Sequence, residues 1–204
     1  MSPTDADTPR AAGSRGSYAK GVARRQEILD RAIEVFAQRG GQRTSLRAIA
    51  QEVGVTHAAL THYFGSLDEL LVAVYRESEQ RGDASPPPAT TSPAEMMRIS
   101  AAENREIPGK VQLYSTLVAS ALDGTHPTAH EFATERFAAL RDKLARRVRE
   151  LQDSGTLRAD LPADLVAALV IAASDGLQTQ WLLDASVDHE AALHLLDTLL
   201  AASR

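Results

Sequence analysis

A chain of 204 residues, 44% of them hydrophobic, is long enough to bury one sizeable core or two small ones, which argues against wholesale disorder. Aromatic residues make up only 4% and cysteine is absent, so helix is favoured over strand, and disulfide frameworks, cysteine-ligated zinc and cysteine nucleophiles are excluded. The formal net charge is −5, but residues 1–66 hold nine Arg or Lys against six Asp or Glu (+3) while residues 67–204 hold thirteen against twenty-one (−8), and nucleic-acid binding follows local potential rather than the total.

All nine N-terminal basic residues lie between Arg10 and Arg47. Residues 1–20 are rich in Ser, Pro, Gly, Ala and Arg and have no apolar centre. They read as a disordered basic arm rather than a secretory signal. The first strong helix is expected from about Gly21 to Gln38, with Ile28, Leu29, Ala32, Ile33, Phe36 and Ala37 on one face and Gly40-Gly41 as its stop. Thr44 and Ser45 are good N-caps for a short second helix carrying Leu46, Ile49, Ala50 and Val53. Gly54 breaks it. A third short helix runs from Thr56 to Phe64 with Ala59, Leu60 and Tyr63 at helical spacing, and Gly65 ends it. Ser66 to Glu69 is a capping box opening a fourth helix with Leu70, Leu71, Val74 and Tyr75 inward.

Residues 83–92, with three consecutive prolines, mark the clearest boundary, since proline cannot sit in a helix interior. Ser92-Pro93-Ala94-Glu95 is a second capping box, with proline at the first helical position, and predicts a helix of about ten residues. Four more helices follow, over about 108–123, 127–153, 162–184 and 189–202. No segment alternates long enough to be a strand. The expected fold is all-α with about nine helices. It divides into an arm (1–20), an N-terminal helical unit (21–66), a connecting helix (67–82), a linker (83–92) and a C-terminal helical domain (93–204). No apolar run approaches the roughly 18 residues of a membrane span. A cysteine-free chain of this kind suits the cytoplasm, with no membrane partner.

Function is carried by Ser45 to Phe64. Two short helices meet at a tight turn around Gly54, Val55 plugs the turn, and the second helix exposes Thr56, His57, Ala58, Thr61 and His62. That is the helix-turn-helix layout, which presents one helix to the major groove of double-stranded DNA.

The same stretch resembles the DNA-binding domain of the tetracycline-repressor (TetR) family. The matching pieces are Arg25-Gln-Glu-Ile-Leu29, Ala32-x-x-x-Phe36-x-x-x-Gly40, Thr44-Ser-Leu-Arg-x-Ile-Ala50, Gly54-Val-Thr56, Leu60-Thr-His-Tyr-Phe64 and Gly65-Ser-Leu-Asp-Glu-Leu-Leu71. Asp175 to Leu183 resembles a segment found near the dimer interface in one subgroup. The resemblance implies nine helices, a homodimer and repression of an operator relieved by a small molecule, with 21–66 as the DNA-binding unit and 93–204 as the ligand-binding and dimerisation domain. It puts Thr56, His57 and Ala58 in the groove and Tyr63 on a phosphate. Two departures stand out: many members have Tyr where this chain has Thr61 and Lys where it has Leu67, and both usually touch phosphates. Of the remaining candidates for DNA contact, Thr44 and Ser45 lie at a helix start that favours phosphate, Arg47 could reach the backbone, and Arg24, with Arg15 and Lys20, could follow a groove from the arm as charge without sequence information. His62 could face solvent or backbone.

No catalytic constellation is visible: there is no glycine-rich phosphate loop and no Gly-x-Ser-x-Gly turn. His126 and His130 are four apart, but Pro127 puts His126 at or outside the helix start, so neither metal nor cofactor is expected. A small apolar or amphipathic ligand would sit among Met96, Met97, Tyr114, Leu117, Phe132, Phe137, Gln178 and Trp181. Leu165, Val166, Leu169, Val170 and Ala173, with Leu193, Leu196, Leu199 and Leu200, give the last two helices more apolar surface than one small domain buries easily. A four-helix dimer interface is expected there. Two rivals differ in kind. A helical enzyme predicts clustered polar residues in the second domain, and a sequence-nonspecific DNA binder predicts positive charge throughout.

Overall fold

The computed structural model describes residues 12–39, 46–81, 87–107 and 109–202. Among them are nine helices: α1 (Ala12–Arg39), α2 (Leu46–Val53), α3 (His57–Phe64), α4 (Leu67–Arg81), α5 (Pro93–Glu106), α6 (Lys110–Leu122), α7 (Pro127–Asp153), α8 (Ala163–Leu183) and α9 (His189–Leu200). Among the described residues no strand forms, and a single antiparallel bridge joins Leu157 to Ala201. The fold is all-α.

Side-chain caps set several helix starts. Ser66 Oγ accepts from Glu69 N at 3.1 Å, Ser92 Oγ from Glu95 N at 3.0 Å and Asp188 Oδ1 from Ala191 N at 2.9 Å. Each satisfies a backbone N–H that a helix start would otherwise leave unpaired. Two boundaries differ from expectation. Residues 12–20 are helical and continuous with α1 rather than part of an arm, and α5 has 14 residues rather than ten. The rest of the expected arm, the caps at Thr44 and Ser45, residue 82 of the connecting helix and residues 83–86 of the linker lie outside the described residues.

The core is built in two parts. One cluster runs from Ile28, Leu29 and Ala32 of α1 through Ile49, Leu60 and Phe64 to Leu70, Val74 and Tyr75 of α4. It continues into Leu113 and Leu117 of α6 and Phe132 of α7. The helix-turn-helix therefore shares a hydrophobic core with the front of the second domain. The other cluster joins Leu144, Val148 and Leu151 of α7 to Val166, Ala167, Val170 and Ile171 of α8 and to Leu200.

The last two helices correct the sequence reading. Val166, Val170, Leu193 and Leu200 are buried within the chain's own core, and Leu196 is partly buried against it. Leu165, Leu169 and Leu199 face outward, each more than 60% exposed, and they are joined by Leu195, which the apolar pattern did not single out. Ala173 is half-buried. On α8, Ala168, Ala172 and Gly176 are exposed along the same helical stripe as Leu165 and Leu169. The expectation that no apolar run approaches membrane length is also corrected, because α8 passes that test by length and composition, with a mean hydropathy of 1.2. Its inner side carries Ser174 and Gln178, both buried, which suits a core helix between α7 and α9.

Candidate nucleic-acid interface and ligand chamber

The reading head is held by its turns. Gly54 takes φ 73°, a left-handed conformation that costs glycine little, and Val55 N donates to Ala50 O at 2.9 Å across the turn. Thr56 is the N-cap of α3 in an extended conformation, and its Oγ1 accepts from Ala59 N at 3.1 Å. Leu60 and Phe64 anchor the inner face of α3, and Arg25 lies over the Phe64 ring at 4.9 Å. Pinned in this way, α3 presents Thr56, His57, Ala58, Thr61 and His62 to solvent as one exposed edge.

The hydroxyls on that edge are not equally free. The Thr56 oxygen is engaged as a cap, which leaves its proton as a donor. Thr61 Oγ1 donates to His57 O at 3.0 Å and is turned back onto its own helix. Tyr63 is half-buried, packs on the head's core and meets the His62 ring edge-on at 5.4 Å. Arg47 is exposed on α2. Arg24 is exposed but paired with Glu27 at 2.5 Å, so reaching a phosphate would mean leaving that partner. Thr44 and Ser45 lie outside the described residues.

Behind the head, α4 is tied down from several sides. Gln26 of α1 donates to Glu77 at 2.8 Å. Arg136 of α7 donates to Glu79 at 2.7 Å. At the start of α4, Asp68 Oδ2 lies 2.7 Å from His126 Nδ1 in the corner between α6 and α7, and Asp123 Oδ2 lies 3.4 Å from the other ring nitrogen. The Asp68 bond, seconded by the Coulombic pull of Asp68 and Asp123, holds the His126 pKa above the usual histidine value.

Between α4, α5, α6, α7 and α8 lies a small polar chamber of about 30 Å³, room for a water or two. Of the eight sequence candidates for a ligand, Met97, Tyr114 and Gln178 line it. The others do not converge there. Leu117 and Phe132 belong to the core shared with the head, Phe137 packs against both clusters and Met96 against the rear one. Trp181 lies under Arg105 at 5.7 Å, beside the Arg98, Arg105 and Glu190 ion pairs that fasten α5 to α9.

Most of the remaining wall is polar and was missed by a search for mainly apolar residues: Tyr75, Ser100, Asn104, Lys110, Arg136, Ser174 and Asp175, beside the apolar Ala101, Val111 and Leu140. The Arg136 guanidinium lies over the rings of Tyr75 (5.0 Å) and Tyr114 (5.3 Å), and Tyr114 Oη donates to Asp175 Oδ2 at 3.2 Å. Burial pushes both tyrosine hydroxyls and the Asp175 carboxyl above their ordinary pKa values and lowers Lys110, in each case because the charged form loses water. Among the described residues no group of three His, Cys, Asp or Glu is placed to hold a metal.

Residues 28–74 match the family described as bacterial regulatory proteins, tetR family, and residues 101–203 match the C-terminal domain described as that of the BetI-type transcriptional repressor. The HTH-type transcriptional repressor Rv1474c of Mycobacterium tuberculosis is 26% identical over 157 residues, 76% of this chain and 81% of that protein. The HTH-type transcriptional regulator BetI of Brucella anthropi is 43% identical over 53 residues, which span 26% of this chain but only 27% of that protein's length. A member of the TetR family from Streptomyces coelicolor A3, SCO1917, is 30% identical, with a TM-score of 0.62 over 87% of this chain and 98% of that one. The chain therefore belongs to the tetR family of bacterial regulatory proteins.

Proposed function

We propose that the protein is a sequence-specific DNA-binding regulator, acting as a homodimeric repressor that leaves its operator when a small molecule enters the chamber. The observation that carries this reading is the α3 edge. Thr56, His57 and Ala58 are exposed side by side on a helix whose inner face is locked into the core. In this reading His57 is the main reader of a purine edge, Thr56 donates its one free proton to base or phosphate, and Ala58 contributes a methyl contact. Arg47, His62 and Tyr63 grip the backbone, with Thr44 and Ser45 at the start of α2. Thr61, bonded to its own carbonyl, and Arg24, paired with Glu27, contribute less.

The functional domains follow the same division. The reader is α1–α3, the lever is α4, and α5–α9 form the sensor and the dimer contact. Leu165 and Leu169 of α8 with Leu195 and Leu199 of α9 form the paired surface, on helices that pack against one another. Two heads held by that surface would meet successive major grooves about 34 Å apart or wider. A ligand acts only through its difference in affinity between the two head spacings. A protein that reads chromosomal operators works in the cytoplasm, and that location is part of the proposal.

The test is gel retardation on a palindromic operator from the DNA flanking the gene. Retardation should fall with a steeper salt dependence on random DNA than on the operator. His57→Ala should reduce operator affinity about tenfold while leaving random DNA almost unchanged, in line with ~1–3 kcal/mol for a base contact. Equal loss on both would count against the assignment of His57. No retardation at low salt by folded dimer would reject the regulator. Indifference to sequence would favour the nonspecific binder instead.

A further inference from the structure

We infer that the chamber takes a small organic acid, whose carboxylate seats between the Lys110 ammonium on α6 and the Arg136 Nε on α7; this rests on the chamber being the sensing site.

Two donor groups on neighbouring helices, the Lys110 ammonium and the Arg136 Nε, belong to the lining of one cavity and have no hydrogen-bond acceptor of their own. Lys110 is only 7% exposed, and among the described residues its ammonium has neither an ion-pair nor a hydrogen-bond partner, only the Tyr75 ring at 6.0 Å. Arg136 spends one terminal nitrogen on Glu79, and its Nε is buried with no partner. Glu79 and Glu103 act on Lys110 only through space, a buried cation without a contacting acceptor is costly to a fold, and burial already lowers the Lys110 pKa. Two such donors in the wall of one cavity are what an absent anionic acceptor would satisfy. A carboxylate has the two oxygens needed to meet both.

The remaining wall selects the rest of the molecule. Met97, Val111 and Leu140 offer apolar surface for its body, while Ser100, Asn104, Ser174 and Gln178 are neutral polar groups. Asp175 is an acceptor for a hydroxyl at the far end. It already takes the Tyr114 hydroxyl, and burial favours its neutral form, so it does not define a cation site. The tyrosine faces that would cage a ligand cation are covered by Arg136.

The site also contains its own coupling. Glu79 belongs to α4, the lever behind the reading head, and Arg136 holds it from α7. A ligand carboxylate on Nε shares the guanidinium's charge with Glu79, which holds a terminal nitrogen, and so weakens that tie. With about 30 Å³ free, the acid enters only as the wall opens, so binding and release of α4 are one event.

The proposal is tested by calorimetric titration of the full-length protein with three molecules of nearly equal shape: 4-hydroxyphenylacetate, 4-hydroxyphenylacetamide and tyramine. The acid should bind at least tenfold more tightly than the amide, and tyramine least. Lys110→Met should bring the acid down to the affinity of the amide, while the variant melts no lower than the parent because an unpaired buried charge has gone. Equal or tighter binding of the amide or the amine would overturn the proposal. So would an acid preference that survives Lys110→Met, or the failure of all three to bind. The sensing site itself is judged separately with Ala101→Phe, which fills the chamber. If small metabolites extracted from the host release the parent from its operator but not this variant, the site stands even where the acid does not. If they release both alike, the site falls too.

Discussion

The double change Leu165→Glu and Leu169→Glu tests the dimer surface with little risk to the fold, because both side chains point away from the chain's own core. They are 62% and 64% exposed. Full burial of a leucine is worth about 1.5–3 kcal/mol, so the exposed three-fifths contributes about 1–2 kcal/mol on association. A two-fold interface contains each residue twice, and the four leucines lost account for about 4–8 kcal/mol, before any cost of burying four carboxylates. At 1.4 kcal/mol per factor of ten, that weakens the dimer by roughly three to six orders of magnitude. Sedimentation equilibrium at about 10 μM should find the parent dimeric and the variant monomeric, with unchanged helical circular dichroism. Operator retardation should weaken in step, since a lone head loses its partner half-site. A variant that sediments as a dimer, or a monomer that holds the operator at full affinity, would refute this surface. The pattern on α8 supports the same proposal. Ala168, Ala172 and Gly176 are exposed on the same stripe and would let a second α8 approach closely.

Two further outcomes follow from the reading head and its tie to the sensor. Thr56→Ala removes the α3 cap and should cost about 1 kcal/mol in urea unfolding. Thr56→Ser should restore that stability, and failure to restore it would assign the loss to something other than the cap. The His126–Asp68 contact should make stability depend on pH. Because the folded pKa of His126 is raised above 6.5 by its bond to Asp68, the contact stabilises fully below that value and is lost as pH rises through the folded pKa. The melting temperature of the parent minus that of His126→Gln should therefore be greatest near pH 6 and shrink toward pH 8. Taking the difference removes His189, which is buried and held below its ordinary pKa, so that it favours the folded state in the opposite direction. A difference independent of pH would show that the protonated contact adds nothing.

Local chemistry made the reading head legible without coordinates. Gly54, Val55, the Thr56 cap and the apolar positions of α2 and α3 fall within about 20 residues, and the interactions that shape them are short in sequence. The same holds for the Ser66 and Ser92 capping boxes, which place the starts of α4 and α5, and for all-α class and helix number. Even here hydrogen bonding was invisible: Thr61 looks like a free donor in the sequence and is bonded to His57 O in the fold.

What only the tertiary structure decided is how the helices face one another. Much of α8 is apolar, so periodicity does not say which side is inward. Packing against α7 and α9 buries Val166 and Val170 and leaves Leu165 and Leu169 outside. The chamber was harder still. Tyr75, Lys110, Arg136 and Asp175 come from four helices and are spread over a hundred residues. Each charged or hydroxylated side chain reads alone as a solvated position. Only when five helices converge do these groups lose their water together, and a buried Lys110 without a contacting acceptor becomes the most informative residue behind the reading head.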